Sequence, residues 1–165
     1  FSKIEAGKLE LEQQPYNLRE CLESALDLLS PQAAGKHLDL AYLLDEGAPA
    51  YVRGDVPRLR QILVNLVGNA LRYASARPSS VRVSWRERGP HRLELRVSDD
   101  GPGLSPEMQQ QAFEPFFTTE ARGTGLGLYL TRELCVANGA SIRYEPPFGS
   151  RPGAFVVEPR ADVAA

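Results

Sequence analysis

Several things are scarce in this chain of 165 residues, and each shortage removes a class of explanation. Two cysteines, Cys21 and Cys135, are too few for a disulfide scaffold or a cysteine-based metal site. Both fall in helical patterns beside apolar residues, so buried free thiols are expected, in keeping with a reducing cytoplasm. No apolar run approaches the roughly 18 residues of a membrane-crossing helix, and nothing at the start resembles a secretion signal. A net charge of −2 gives no global reason to expect nucleic acid or a membrane surface. Neither a GxxxxGK[ST] phosphate loop nor a GxGxxG dinucleotide turn occurs, and no internal repeat or low-complexity stretch is present. The chain opens at Phe1 rather than Met, so it is expected to be a piece of a longer protein. With 42% hydrophobic and 24% charged residues, it suits one globular domain with a core of ordinary size.

What the chain does hold is glycine in two tight groups. Asp99-Asp100-Gly101-Pro102-Gly103 and Gly123-Thr124-Gly125-Leu126-Gly127-Leu128 bracket about twenty residues with only a short helical pattern. Glycine admits positive φ and lets a ligand approach the backbone. Two such groups around a mobile insert suggest a floor and a lid over a polar ligand. The second group runs into an apolar-periodic segment, 126–136. A glycine-rich turn feeding a helix N-terminus offers unpaired N–H groups and the positive dipole end, a natural seat for phosphate. A glycine triplet alone also reads as an ordinary loop with a tight helix start. Its pairing with Asp99 and with a second helix favours the phosphate seat.

Residues 1–8 (FSKIEAGK) read as the end of a helix stopped at Gly7, and 9–13 (LELEQ) as a strand broken by Pro15. Asn17 caps a helix predicted over 18–30, with Glu20 placed for a capping box and Pro31 and Gly35 ending it. A strand is expected over 38–44 and a short extended piece at 51–53. Asp55 and Pro57 begin a helix over 56–73. Strands 81–85 and 93–97 form an expected hairpin that delivers Asp99 at its end. A short helix runs from Pro106 to Ala112. Phe113, Phe116 and Phe117, around Pro115, are expected to anchor the insert in the core. A helix over 125–137 closes at Asn138-Gly139, strands 141–144 and 154–158 follow, and the tail 160–165 should fray. This order argues for the α/β class, a two-layer sandwich with helices on one face of a mixed sheet.

On the helix over 56–73, Leu59, Ile62, Leu63, Leu66, Val67 and Ala70 make the core face. Asn65, Asn69, Arg72 and Tyr73 recur at three- and four-residue steps on a separate polar stripe. Asparagine is a mediocre helix former, and two of them one turn apart cost helix stability for no packing gain. They are either a solvated stripe or part of a site.

Together these stretches resemble the boxes of sensor histidine kinase catalytic domains. Asn65-Leu66-Val67-Gly68-Asn69-Ala70-Leu71-Arg72-Tyr73 resembles the N box. Asp99-Asp100-Gly101-Pro102-Gly103 resembles the first glycine box, Phe113-Glu114-Pro115-Phe116-Phe117 the F box, and Gly123 to Leu128 the second glycine box, all in the family's order. Residues 1–8 are similar to the end of the dimerisation domain that precedes such a unit. The resemblance implies a Bergerat ATP-binding fold over 9–159 that binds Mg-ATP. It also implies transfer of the γ-phosphate to a histidine on a dimerisation domain outside this chain, with a response regulator further on.

Carried over by position, Asp99 would accept a hydrogen bond from the adenine amine, and Gly101 and Gly103 would let the purine lie against the backbone. Asn65 and Asn69 would hold Mg²⁺ through side-chain oxygens, directly or through water. Arg72 would pair with phosphate; with the two asparagines it completes the implied catalytic set. Tyr73 would pack near base or ribose, and backbone N–H groups from Thr124, Gly125, Leu126, Gly127 and Leu128 would cradle the phosphates. Hydrolysing members of the superfamily carry a glutamate where Asn65 stands, so water is left unactivated and the phosphate is saved for a protein acceptor. Neither His37 nor His91 has the H-[ED]-x-x-[TN]-P context of that acceptor. Glu120 follows the Thr-Thr pair where the family often has a basic residue, with Arg122 the candidate substitute. That departure keeps open a second reading, the nucleotide-binding or docking module of a degenerate kinase with little catalysis of its own. A serine kinase of the anti-sigma type is a third, disfavoured by residues 1–8.

Overall fold

The computed structural model describes residues 14–75, 80–89, 92–121 and 123–159. The expectations for 1–8, 9–13, His91, Arg122 and the tail 160–165 lie outside the described residues. Strand β1 (Gln14–Asn17) pairs antiparallel with β3 (Tyr51–Gly54) in a small sheet of its own. The main sheet has five strands in the order β2 (Tyr42–Leu44), β4 (Val81–Glu87), β5 (Leu93–Asp99), β7 (Ala154–Glu158), β6 (Ser141–Glu145). β2 runs parallel to β4 and the other pairings are antiparallel, so the sheet is mixed as expected. Helices α1 (Leu18–Gly35), α2 (Val56–Tyr73) and α4 (Gly127–Ala137) form the second layer, and α3 (Pro106–Gln111) begins the glycine-bracketed insert. No described helix is long and apolar enough to cross a membrane.

Strand alternation builds the floor of the core. Val81, Val83 and Trp85 of β4 and Leu93, Leu95 and Val97 of β5 are buried against the helices. Above them, α2 sinks Leu59, Ile62, Leu63, Leu66, Val67, Ala70 and Leu71. Its start is set where the sequence placed it: Asp55 accepts a hydrogen bond from the Arg58 N–H at 3.0 Å, and Pro57 occupies the first turn. Helix α4 ends in a Schellman turn, with Gly139 at φ +65° and the Ala140 N–H donating to the Cys135 carbonyl at 2.8 Å. Both cysteines are free and buried, and burial raises their thiols to about 11 for Cys21 and about 12 for Cys135.

Four expectations are corrected. Pro15 does not end a strand but sits within β1, which as an edge strand leaves the missing N–H without cost. Helix α1 runs through Pro31 to Gly35 because Leu29 and Ala33 remain packed in the core on either side of it. Its left-handed closing residue is His37 at φ +56°, and the Leu38 N–H donates to the Ala33 carbonyl at 3.0 Å. The strand over 38–44 shrinks to three residues, since Leu38 is consumed by that turn. Finally, of the three insert phenylalanines, Phe113 stacks edge-on against Phe155 and Phe117 lines a cavity. Phe116 stands 72% exposed at φ +65° and anchors nothing in the core.

Candidate functional site

A cavity of about 580 Å³ opens between α2, the end of β5, the insert and the start of α4. Its size suits a nucleotide-scale ligand. Asn65, Asn69, Arg72 and Tyr73 reach it from α2, Asp99 and Gly103 from the end of β5 and its turn, and Thr124, Gly125, Gly127 and Leu128 from the glycine run. Gly101 and Leu126 do not line it. The space a Cβ would need at Gly101 is already held by the Asp99 carboxylate and the Tyr73 carbonyl, at 2.6 and 2.8 Å. The glycine therefore lets α2 pack against the end of β5. The Leu126 N–H is spent on the Thr124 hydroxyl at 3.4 Å, while the N–H groups of Thr124, Gly125, Gly127, Leu128 and Tyr129 have no acceptor among the described residues.

The register of β5 separates two adjacent carboxylates. Asp99 lies opposite Val81 at the strand end, and one of its oxygens accepts the Gly101 N–H at 2.9 Å. The other oxygen remains for a donor in the cavity. Burial pushes the Asp99 carboxyl above the ordinary aspartate value; the Gly101 N–H opposes the rise and the Asp100 charge adds to it. Asp100 turns away. It accepts from the Ser75 N–H at 2.8 Å, from the Ser75 hydroxyl, and from the Ser80 hydroxyl at 3.2 Å, tying the chain after α2 to the β5 turn.

Asn65 is held by a residue the sequence reading missed. Its side-chain NH₂ donates to Thr131 Oγ1 at 3.2 Å, and that hydroxyl donates to the Gly127 carbonyl at 2.8 Å. Thr131 is fully buried. Asn69, one turn along, faces the same cavity and makes no side-chain hydrogen bond to another described residue. Thr131 had one legible signal: it is polar at a position whose neighbours one turn on, Leu134 and Cys135, are core. A second missed contributor is Tyr144, whose hydroxyl accepts from the Leu104 N–H at 3.1 Å beside Gly103.

The start of α4 is built to receive an anion. The helix has no side-chain cap, and its first backbone bond is Leu130 N–H to Leu126 carbonyl at 2.8 Å. The N–H groups of the first turn therefore precede any intrahelical acceptor. Nothing lies within 4 Å of where a Gly127 Cβ would be, so that face is open. Gly125 has a different task. At φ +66° it lies against the Phe116 backbone, and the Phe116 N–H donates to its carbonyl at 3.0 Å, which pins the base of the insert.

Across the cavity mouth, Arg72 pairs with Glu120 at 3.2 Å rather than standing free. The Tyr73 and Thr119 hydroxyls meet at 3.4 Å just beside it. Insert and α2 are thus joined by two polar contacts at neighbouring positions. Lys36 donates to the Arg72 carbonyl at 2.6 Å and covers the negative end of α2. His37 lies exposed in the α1 closing turn, away from this cavity's lining.

Residues 54–162 match the family model described as histidine kinase-, DNA gyrase B-, and HSP90-like ATPase. The sensor protein GacS of Pseudomonas syringae pv. syringae is 38% identical over 150 residues, 86% of this chain and 16% of that protein. The signal transduction histidine-protein kinase BarA of Escherichia coli (strain K12) is 35% identical over 160 residues, 91% of this chain and 17% of that protein. Among solved structures, full-length ShkA in complex with AMPPNP superposes with a TM-score of 0.86 at 29% identity, covering 99% of this chain and 34% of that one. The catalytic domain of histidine kinase ThkA superposes with a TM-score of 0.77 at 26% identity, covering 90% of this chain and 96% of that one. The chain thus spans about a sixth of the length of these two curated relatives.

Proposed function

Since the chain belongs to the histidine kinase-, DNA gyrase B-, and HSP90-like ATPase family, we propose that it is the ATP-binding catalytic domain of a sensor histidine kinase, with residues 9–159 as the unit. In this reading it binds Mg-ATP and passes the γ-phosphate to a histidine on a dimerisation domain of the same kinase, from which a response regulator is served. A reducing, ATP-supplied cytoplasm is the proposed compartment. One observation carries the reading: the Asn65–Asn69 stripe, the Asp99 carboxylate and the open N-terminus of α4 all face one cavity of about 580 Å³.

Each residue then has a task its surroundings suit. The free oxygen of Asp99 accepts from the adenine amine. The N–H groups of Gly127 and Leu128 take phosphate oxygens. Asn65 and Asn69 present amide oxygens, and no three His, Cys, Asp or Glu side chains gather into a metal cage among the described residues. That oxygen-only donor set fits Mg²⁺, which is satisfied by few protein ligands when phosphates and water complete its shell. Bound with the nucleotide, the ion neutralises phosphate charge during transfer. With an amide rather than a carboxylate at position 65, no base is aimed at water, and the phosphoryl group waits for the protein acceptor. Arg72 engages Glu120 through Nη1 at 3.2 Å, so a phosphate would share its guanidinium with that carboxylate or displace it, which makes the insert responsive to the nucleotide.

Two variants test the assignment. Asp99→Asn is expected to weaken ATP binding by about 1–3 kcal/mol, the scale of a lost hydrogen bond to a charged group, measured by calorimetric titration. Unchanged affinity would count against Asp99. Asn65→Ala is expected to abolish Mg²⁺-dependent labelling of a separately supplied dimerisation domain by radiolabelled ATP, and normal labelling would remove Asn65 from the metal role. The Arg72–Glu120 pair favours the second reading, a nucleotide-binding or docking module, to one extent: tight ATP binding by the unaltered chain with no label transferred would support it.

A further inference from the structure

The hydrogen-bond chain from Asn65 through Thr131 to Gly127 decides which end of the Asn65 amide faces the cavity. A carbonyl only accepts, so at 2.8 Å from the Gly127 carbonyl the Thr131 hydroxyl must spend its single proton there. Toward Asn65, at 3.2 Å, the same oxygen can then only accept. The group facing it must be the NH₂, and the amide oxygen is turned the other way. Thr131 is wholly buried, so water does not compete for either bond. The three residues also join the two walls of the site, since Asn65 belongs to α2 and Gly127 opens α4.

We propose that Thr131 is a positioning residue that locks the Asn65 amide with its oxygen toward the cation bound with ATP. This rests on the reading of Asn65 as a metal-side residue. Without the hydroxyl, the NH₂ loses its buried acceptor and the amide turns between its two orientations, only one of which offers oxygen to a cation. Affinity for the cation falls in proportion to the fraction still correctly turned. Nucleotide contacts made by Asp99 and by the Gly127 and Leu128 N–H groups do not depend on that rotation.

The test is calorimetric titration of ATP into the chain across a Mg²⁺ series and in EDTA, with thermal melts recorded alongside. Thr131→Val removes the hydroxyl at constant shape and is expected to raise the half-saturating Mg²⁺ concentration by about twofold, the loss for an amide turned correctly half the time. ATP affinity in EDTA should stay unchanged. Thr131→Ala, the second variant should valine not fold, is expected to behave likewise, and Thr131→Ser, which keeps the hydroxyl, to restore the unaltered Mg²⁺ requirement. An unchanged Mg²⁺ requirement in Thr131→Val or Thr131→Ala, alongside a raised one in Asn65→Ala, would overturn the role of Thr131 alone. Equal losses with and without Mg²⁺, or no rescue by serine, would reduce Thr131 to packing. An unchanged requirement in Asn65→Ala would instead bring down the metal-side reading of Asn65, and this proposal with it.

Discussion

Asp99 and Asp100 are chemically identical neighbours whose environments give them opposite tasks. Asp100 is consumed by serine donors that close a turn. Asp99 is half-buried at the cavity with one oxygen satisfied, and desolvation raises its pKa above the unfolded value. Two consequences of opposite sign follow. In the nucleotide-free protein the folded state holds a proton more tightly than the unfolded chain. Stability from this group is therefore present below the unfolded aspartate pKa and is lost as pH rises through the raised one. Nucleotide binding runs the other way, because an amine donor needs the ionised carboxylate. ATP affinity is expected to fall as pH drops through the raised Asp99 pKa, and Asp99→Asn to lack that acid limb, both checked by titration across the weakly acidic range. An acid limb of equal size in the variant would assign it to another group. The sequence named Asp99 as the cavity-facing residue through its place in the DxGxG pattern. The role of Gly101 was not legible, because the Tyr73 carbonyl that crowds it comes from a helix distant in sequence.

At the scale of elements, α2 was readable end to end because cap, proline and periodicity agree on the same bounds. Elements with conflicting signals were misjudged. Pro31 argued for an end to α1 that core packing of Leu29 and Ala33 overrides. The apolar run 38–44 looked like a full strand, yet β2 has one neighbour only and shares three residues with it. The insert was the least legible. Three phenylalanines promised anchorage; Phe113 supplies it through Phe155, Phe116 stands exposed, and the rest of the local chain is held by Gly125 and by the Arg72–Glu120 pair. That pair carries a prediction. Exposed ion pairs are worth about 0–1 kcal/mol, so Glu120→Gln, by freeing Arg72, is expected to raise ATP affinity by no more than about fivefold. A fall in affinity would show that Glu120 assists the ligand rather than competing with it for Arg72.

For the whole molecule, the two-layer plan follows from alternating strands β4 and β5 and the apolar strand β7 beneath amphipathic α1, α2 and α4, and it was foreseen from element order alone. What the plan achieves is convergence. Residues 65 and 69 are separated from 99 and 127 by a hairpin and by the insert, yet all four reach one cavity because α2 lies across the end of β5 and beside α4. The links between those walls, above all Thr131, were hidden because a bond between residues 66 apart leaves no trace in local pattern. Convergence on a single magnesium nucleotide is the claim that matters, and a crystal structure of this chain with Mg²⁺ and a non-hydrolysable ATP analogue tests it most directly. The expected result has the adenine amine donating to Asp99, phosphates at the Gly127 and Leu128 N–H groups, and the Asn65 and Asn69 oxygens turned to the ion. A base seated away from Asp99, or an ion on another surface of α2, would contradict it.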